Sequence, residues 1–488
     1  MAALIGANPR SQQMDSLSSQ TKHRQYRLID VGSFGGPTFP QTVPIIQMMN
    51  NMGMVTGGSE TTIPDPFAPN CFAGPDCVTL QAFLWNGQRL THLPELRGGV
   101  NSFGAEINQL GVVAGASQNG TLDTTTNFPT QRPVIWINGR AIDLGTLGGS
   151  QGVATGVNDL NQAIGVSLTT TPDVFANDFS QVYLLAPATT AAHAFVWLNG
   201  RIRDLGTLGG PDSVALSIND FGQVAGLSYT GYDVTNFFLN GEKGNPSLAP
   251  FLWQQGKMTN LGTLGGDYVE VITLNNRGQV IGNSTLAGNE GFHPFFWSNG
   301  HTQDIGTLGG GFAISLWMND LGDIVGFSTT AAPSGGHGFL WTRGQMKDLG
   351  VLNQDPCSVP LGINLRGQIV GASTDCGDGE TAVLWENGQP PVDLNTLVPE
   401  GSELYLHEAD FINERGEITG LGLLPNGEVR AFVLIPEEGI AVDAAARPRS
   451  RPASKTNSPK SVQQPPAGWE LINKVRSQFQ HKKKLNAR

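Results

Sequence analysis

The chain has 488 residues, 64 of them glycine, with only 14% charged side chains and four cysteines, a composition suited to many short strands and tight turns rather than long surface helices. No apolar run approaches the roughly 20 residues that a membrane-spanning helix needs. The net charge of −12 divides unevenly: residues 441–488 hold 11 Lys/Arg against 2 Asp/Glu, a net of +9, which leaves 18 against 39, a net of −21, for residues 1–440. So acidic a body argues against sequence-independent binding to nucleic acid phosphates.

Residues 1–24 are polar and aperiodic and read as a disordered lead-in. The start, MAALIGANPRSQQ, holds an apolar stretch shorter than a secretory h-region, so no clear signal peptide is expected there. Tyr26–Gly36, YRLIDVGSFGG, then matches the end of a unit that returns along almost the whole chain. The unit is clearest at residues 191–226: an apolar strand (His193–Trp197), an Asn199-Gly200 turn and a second strand to Asp204. A GTLGG turn follows, then a third strand (Val214–Ile218), a turn through Asn219, Asp220 and Gly222, and a fourth strand (Gln223–Ser228). Asn-Gly between apolar runs signals a type I′ hairpin, because both residues tolerate positive φ.

The GQVAG element recurs in eight copies, beginning at Gly53, Gly111, Asn161, Gly222, Gly278, Gly322, Gly367 and Gly416. Eight copies of four strands predict 32 strands. The eighth copy lacks a final strand, and the lead segment at Tyr26 lacks the three before it; each completes the other. The expected fold is therefore all-β: an eight-bladed β-propeller of four-stranded antiparallel blades over residues 25–436, its last blade closed by the N-terminal strand beside Ala431–Ile435. Residues 437–466 read as a basic, proline-containing linker. In 467–488, Trp469, Ile472, Val475 and Phe479 recur at helical spacing among lysines and arginines, which fits a basic amphipathic segment for an anionic surface as well as a disordered tail.

Both short hairpins belong to one face of such a propeller, and the GTLGG turns and variable loops to the other. Loops 58–80, 116–131, 166–192 and 227–249 are long in copies one to four, and they carry Glu60, Asp65, Asp76, Asp123, Asp173, Asp178, Asp233 and Glu242. That face suits a protein, peptide or glycan ligand, and its acids suit cations such as Ca²⁺ or plain solvation; no other cofactor is expected. Cys71 and Cys77 share one loop, and Cys357 and Cys376 flank one hairpin, so two local disulfides and an oxidising, extracellular or periplasmic compartment are expected.

Residues repeated in every copy serve the architecture, whereas a reaction centre must be built from departures. The Asp of DLG (Asp30, Asp143, Asp204, Asp304, Asp348, Asp393) reads as a cap on the turn's amides, and Gly209-Gly210 as room for close approach. His193, His293 and His337 hold equivalent strand starts and read as hydrogen-bonding rather than metal-binding residues. The departures on inner strands are Glu106, Trp317 and, in the eighth copy, His407, Glu408 and Asp410. With its HAF, W-x-NG, DLGTLGG and IND-x-GQVAG motifs, the chain resembles the HAF-type extracellular repeat family of bacteria over residues 26–435. The resemblance implies a propeller-like, exported protein and carries over no catalytic residues; the basic tail and the missing signal peptide depart from it. Two readings follow: a monomeric, non-enzymatic binding propeller using the variable-loop face of copies one to four, or a propeller lyase or glycoside hydrolase using Glu106, His407, Glu408 and Asp410.

Overall fold

Each repeat folds where its sequence forces the chain to reverse. The computed structural model describes residues 23–36, 47–72, 77–231, 248–289, 291–332, 335–376 and 380–442. In the unit at 190–229, strands Thr190–Leu198 and Arg201–Gly206 are joined at Asn199 and Gly200, whose φ values of 52° and 79° are those of a type I′ turn. Strands Ser213–Ile218 and Val224–Tyr229 follow, and all pairings within a repeat are antiparallel. The last glycine of GQVAG has a packing reason: a Cβ on Gly226 would sit 2.0 Å from the Val214 carbonyl oxygen and 2.9 Å from the ring of Phe251. Only glycine admits that aromatic ring, and Phe83, Phe195, Phe251, Phe295, Phe339 and Phe432 are all fully buried in corresponding strands. Each such ring contributes about 2–3 kcal/mol by leaving water.

Two features depart from the expected regularity. Among the described residues 31 strands form six sheets rather than 32 strands in eight. The first sheet has three strands, its innermost partner reduced to a single bridge, Met49 to Val55. The fifth to seventh repeats merge into one twelve-stranded sheet, because parallel bridges Phe292–Phe312 and Gly336–Cys357 link neighbours. The variable loop of the third repeat also holds a helix, α1 (Ala176–Tyr183), which the sequence reading passed over as loop.

Closure of the last sheet agrees with the expectation. His23–Asp30 pairs antiparallel with Val429–Val442, setting Tyr26 against Pro436 and Asp30 against Phe432. The strand passes the expected boundary at Pro436, because after a bulge between Arg24 and Tyr26 the pairing resumes at Ala441 and Val442. Apolar cores lie between successive repeats, as where Ile164 and Val196 meet Ala215, Val224 and Phe251.

The turns between inner strands supply a second closure. Asn219 accepts from the amides of Phe221 (3.1 Å) and Gln223 (3.0 Å), and its Nδ2 donates to the carbonyl of Asn275 in the next repeat (3.1 Å). The same donation runs from Asn50 to Asn108, Asn158, Asn219, Asn275, Asn319, Asn364 and Asn413, and Asn413 returns it to Asn50 (3.1 Å). Eight buried asparagines thus form a hydrogen-bonded ring around one axis.

Candidate functional site

A second ring lies beside the first, built by the next residue of each turn. The amide of Gln109 donates to Asp159 (2.8 Å), that of Asp159 to Asp220 (3.0 Å), that of Asp220 to Asn276 (2.9 Å) and that of Asn276 to Asp320 (2.8 Å). The amide of Leu365 donates to Glu414, and that of Glu414 to Asn51 (2.9 Å). Leu365 breaks the pattern, having no side-chain acceptor. Four carboxylates (Asp159, Asp220, Asp320 and Glu414) therefore surround one mouth of the axis. Burial, and then the charge of Asp220, push Asp159 above the usual carboxylate range, although the Gln109 amide opposes this. Burial likewise raises Glu414, helped by Asp320 and opposed by the Leu365 amide and Arg366.

Glu106 stands two residues inside this ring, on the inner strand Ser102–Ile107. Corresponding register positions hold Gly156, Ser217, Thr273, Trp317, Gly362 and Phe411. Gly156 makes the space, because a Cβ there would lie 2.6 Å from Oε2 of Glu106. Trp317 and Phe411 fill other positions at this level, stacked edge to face with centroids 5.6 Å apart. Glu106 is half-buried, facing the axial space, and its carboxyl is pushed up to about 8. Burial is the main cause, followed by the charge of Asp220; the Val157 amide opposes them, and Asp159 adds to them. One departure, Glu106, a weakened acid, thus meets carboxylates from other repeats, Asp159 and Asp220, which the sequence did not connect.

The eighth repeat places its three departures on the inner strand Tyr405–Ile412. His407 is half-buried, Glu408 is buried, and Asp410 is buried and raised to about 7 by burial alone. The negative charges acting on Glu106 come from Asp220 and Asp159. Asp410 lies at a bulge between Ala409 and Phe411, and Phe411 packs on Trp317.

At the variable-loop end, α1 lies over the inner strands of its neighbours. Phe179 packs on Tyr229, 5.4 Å between centroids, and Tyr183 feels the charge of Glu270, to which the Tyr268 hydroxyl donates. Glu270 also accepts from Asn283 (3.3 Å) and was not singled out in the sequence. The loop acids are turn-builders rather than open ligands. Asp65 accepts from Phe67, Phe72 and Asn101, Asp123 from Thr125 and Thr126, and Glu60 is buried. Asp76, Asp233, Glu242 and the Asp178 side chain lie outside the described residues. Among the described residues no group of three His, Cys, Asp or Glu gathers that would hold Ca²⁺ or another metal.

Other expectations hold. Asp143, Asp204, Asp304 and Asp348 each accept the amide two residues on, at 2.7–2.9 Å. His193, His293 and His337 place Nδ1 2.8–2.9 Å from the Asp of their own repeat. Cys71–Cys77 and Cys357–Cys376 are disulfides, and no helix among the described residues is long and apolar enough to cross a membrane.

No family model and no curated protein matches the chain. Solved structures do. A prolyl endopeptidase is similar at 10% identity, covering 86% of this chain and 49% of its own, with a TM-score of 0.43. The β-propeller domain of the trilobed protease from Pyrococcus furiosus is similar at 8% identity over 76% of this chain and 95% of that one, TM-score 0.40. The Pyrococcus horikoshii acylaminoacyl peptidase is similar at 10% identity over 69% and 51%, TM-score 0.38. The chain spans about half the length of the two peptidases. With its repeated antiparallel meanders around an asparagine ring, the protein is an all-β chain. The expectation of a non-enzymatic binding propeller is set aside: the similar solved structures include peptidases.

Proposed function

We propose that the eight repeats are the blades of a closed, exported propeller of the HAF type, and that Glu106 with the Asp159 and Asp220 carboxylates forms an acid–base centre for cleaving a glycosidic bond by hydrolysis or elimination. The carrying observation is a carboxyl group raised to about 8 beside two further carboxylates at one end of the axis. Bond cleavage of this kind asks for one carboxyl that keeps its proton at neutral pH and one that stays ionised nearby. Glu106 supplies the proton to the leaving oxygen. Asp220 is tied at both oxygens, by the Asp159 amide and by Nδ2 of Asn276 (3.0 Å), and sustains the negative field. Asp159, held at Oδ1 by the Gln109 amide, takes the base role. The two disulfides support an oxidising compartment for such a protein.

The test is release of sugar from a panel of neutral and uronate-containing polysaccharides by wild-type protein, Glu106→Gln and Asp159→Asn. Glu106→Gln is expected to lower kcat by about 100-fold or more and to abolish the fall in rate as pH rises through 8. Turnover by wild-type and Glu106→Gln at equal rates with equal pH profiles would sink the assignment.

A further inference from the structure

The turns that carry the asparagine ring also present apolar side chains to water. The third residue of these turns is Met52, Leu110, Leu160, Phe221 and Leu321 in five repeats, exposed by 48%, 63%, 64%, 75% and 49%, and arginine in the other three. Because the turns are linked head to tail by hydrogen bonds, these side chains form a crown around the axis, just outside Asp159, Asp220, Asp320 and Glu414. A contiguous apolar patch rimmed by charge marks an interaction surface. Its outer position separates it from Glu106.

The end of the last strand indicates what covers the crown. Val429–Val442 runs toward these turns, pairing Leu434 with Ile418 next to the Asn413–Glu417 turn, and continues past that level to Val442. Residues 443–488 therefore leave from the crown's own face. They hold 11 Lys/Arg against 2 Asp/Glu, and of these Lys474, Arg476 and Lys482–Lys484 cluster around Trp469, Ile472, Val475 and Phe479. A chain of the length between Val442 and Trp469 reaches about 25–30 Å on average, enough to cross from an outer strand to the axis. Tethering also gives such a segment a high effective concentration at the face.

We propose that the crown is the docking surface for the chain's own C-terminal segment, Trp469–Lys484, whose apolar residues cover Phe221, Leu160 and Leu110 while its basic residues meet Asp159, Asp220, Asp320 and Glu414. The match is one of opposite charge and shared apolar character: a body of −21 and a tail of +9. It shares Asp159 and Asp220 with the acid–base reading, and its cross-linking test reads docking rather than turnover.

Carbodiimide cross-linking of the full chain, with peptide mapping on a mixture of isotopically light and heavy protein, tests it. The expected result is cross-links from Lys482–Lys484 to Asp220, Asp320 or Glu414 within single chains, reduced at least tenfold by Phe221→Asp with Leu160→Asp and by Trp469→Ala with Phe479→Ala. The first pair alters only exposed side chains, and the second lies outside the described residues; an unchanged melting temperature is expected to accompany both. Absent cross-links, links to the variable-loop face, links insensitive to both pairs, or mixed light–heavy links showing that a second copy supplies the segment would each overturn it.

Discussion

Two levels of the inner strands, two residues apart, behave in opposite ways. At the turn, all eight repeats hold asparagine, and each passes the same hydrogen bond to the next. At the level of Glu106 the register positions hold glycine, serine, threonine, tryptophan and phenylalanine as well as glutamate. Identity closes the ring, and variety shapes the space inside it. A repeat protein thus keeps its architecture in what recurs and its chemistry in what does not, with Gly156 as the link, since its missing side chain is what lets the Glu106 carboxyl in.

The sharpest way to break the comparison is to disturb the ring. Asn219→Ala removes acceptors for the Phe221 and Gln223 amides and a donor for the Asn275 carbonyl, all at a buried site. Denaturant unfolding is expected to show a loss of about 3–4 kcal/mol, whereas Phe221→Ala in the same turn stays within about 0.5 kcal/mol. Replacing Cys357 and Cys376 together by serine opens a loop of 19 residues. Its expected cost is about 3 kcal/mol by the same measurement.

Glu106→Gln sharpens the other side. The unfolded chain ionises Glu106 above its ordinary value of 4.5, but the folded chain keeps it neutral up to about 8. Stability present below pH 4.5 is therefore lost progressively as pH rises toward 8, and Glu106→Gln is expected to flatten that decline. Comparison of unfolding midpoints at pH 5 and pH 8 checks the sign: wild type falls further than the variant. The smallest effect belongs to His293→Gln. Burial raises Asp304, but hydrogen bonds from His293 and the Gly306 amide outweigh it and hold the carboxyl below the usual range. That contribution is present above the ordinary carboxylate value and is lost as pH falls through the depressed one. With Asp304 40% exposed on its side chain, the expected loss on His293→Gln is below about 1 kcal/mol at neutral pH.

The recurring parts were legible in the sequence because eight copies each report the same local rule. The DLG aspartate caps, the Asn-Gly turns, the two disulfides and the pairing of the Tyr26 strand with the last sheet all follow from short-range chemistry or from a missing strand. The asparagine ring was present as a repeated letter, Asn219 and its equivalents, but the sequence showed a turn residue where the fold shows a bond between repeats. Glu106 was visible as a departure. Its partners were not, because Asp159 and Asp220 come from other repeats and are turn residues by every local criterion. His407, Glu408 and Asp410 adjoin in sequence, and the register shifts between Leu406 and Glu408 and between Ala409 and Phe411 were not legible there. Helix α1 was missed because a loop of variable length gives no repeat against which to read it.

The most direct measurement is an infrared titration of the protonated-carboxyl band, taken as the difference between wild type and Glu106→Gln in the folded state. A carboxyl in the enclosure of Asp220, Asp159 and Val157 is expected to keep its proton through pH 7 and to lose it near 8. A difference band that has already vanished by pH 5 would show an ordinary, ionised glutamate and contradict the acid–base centre.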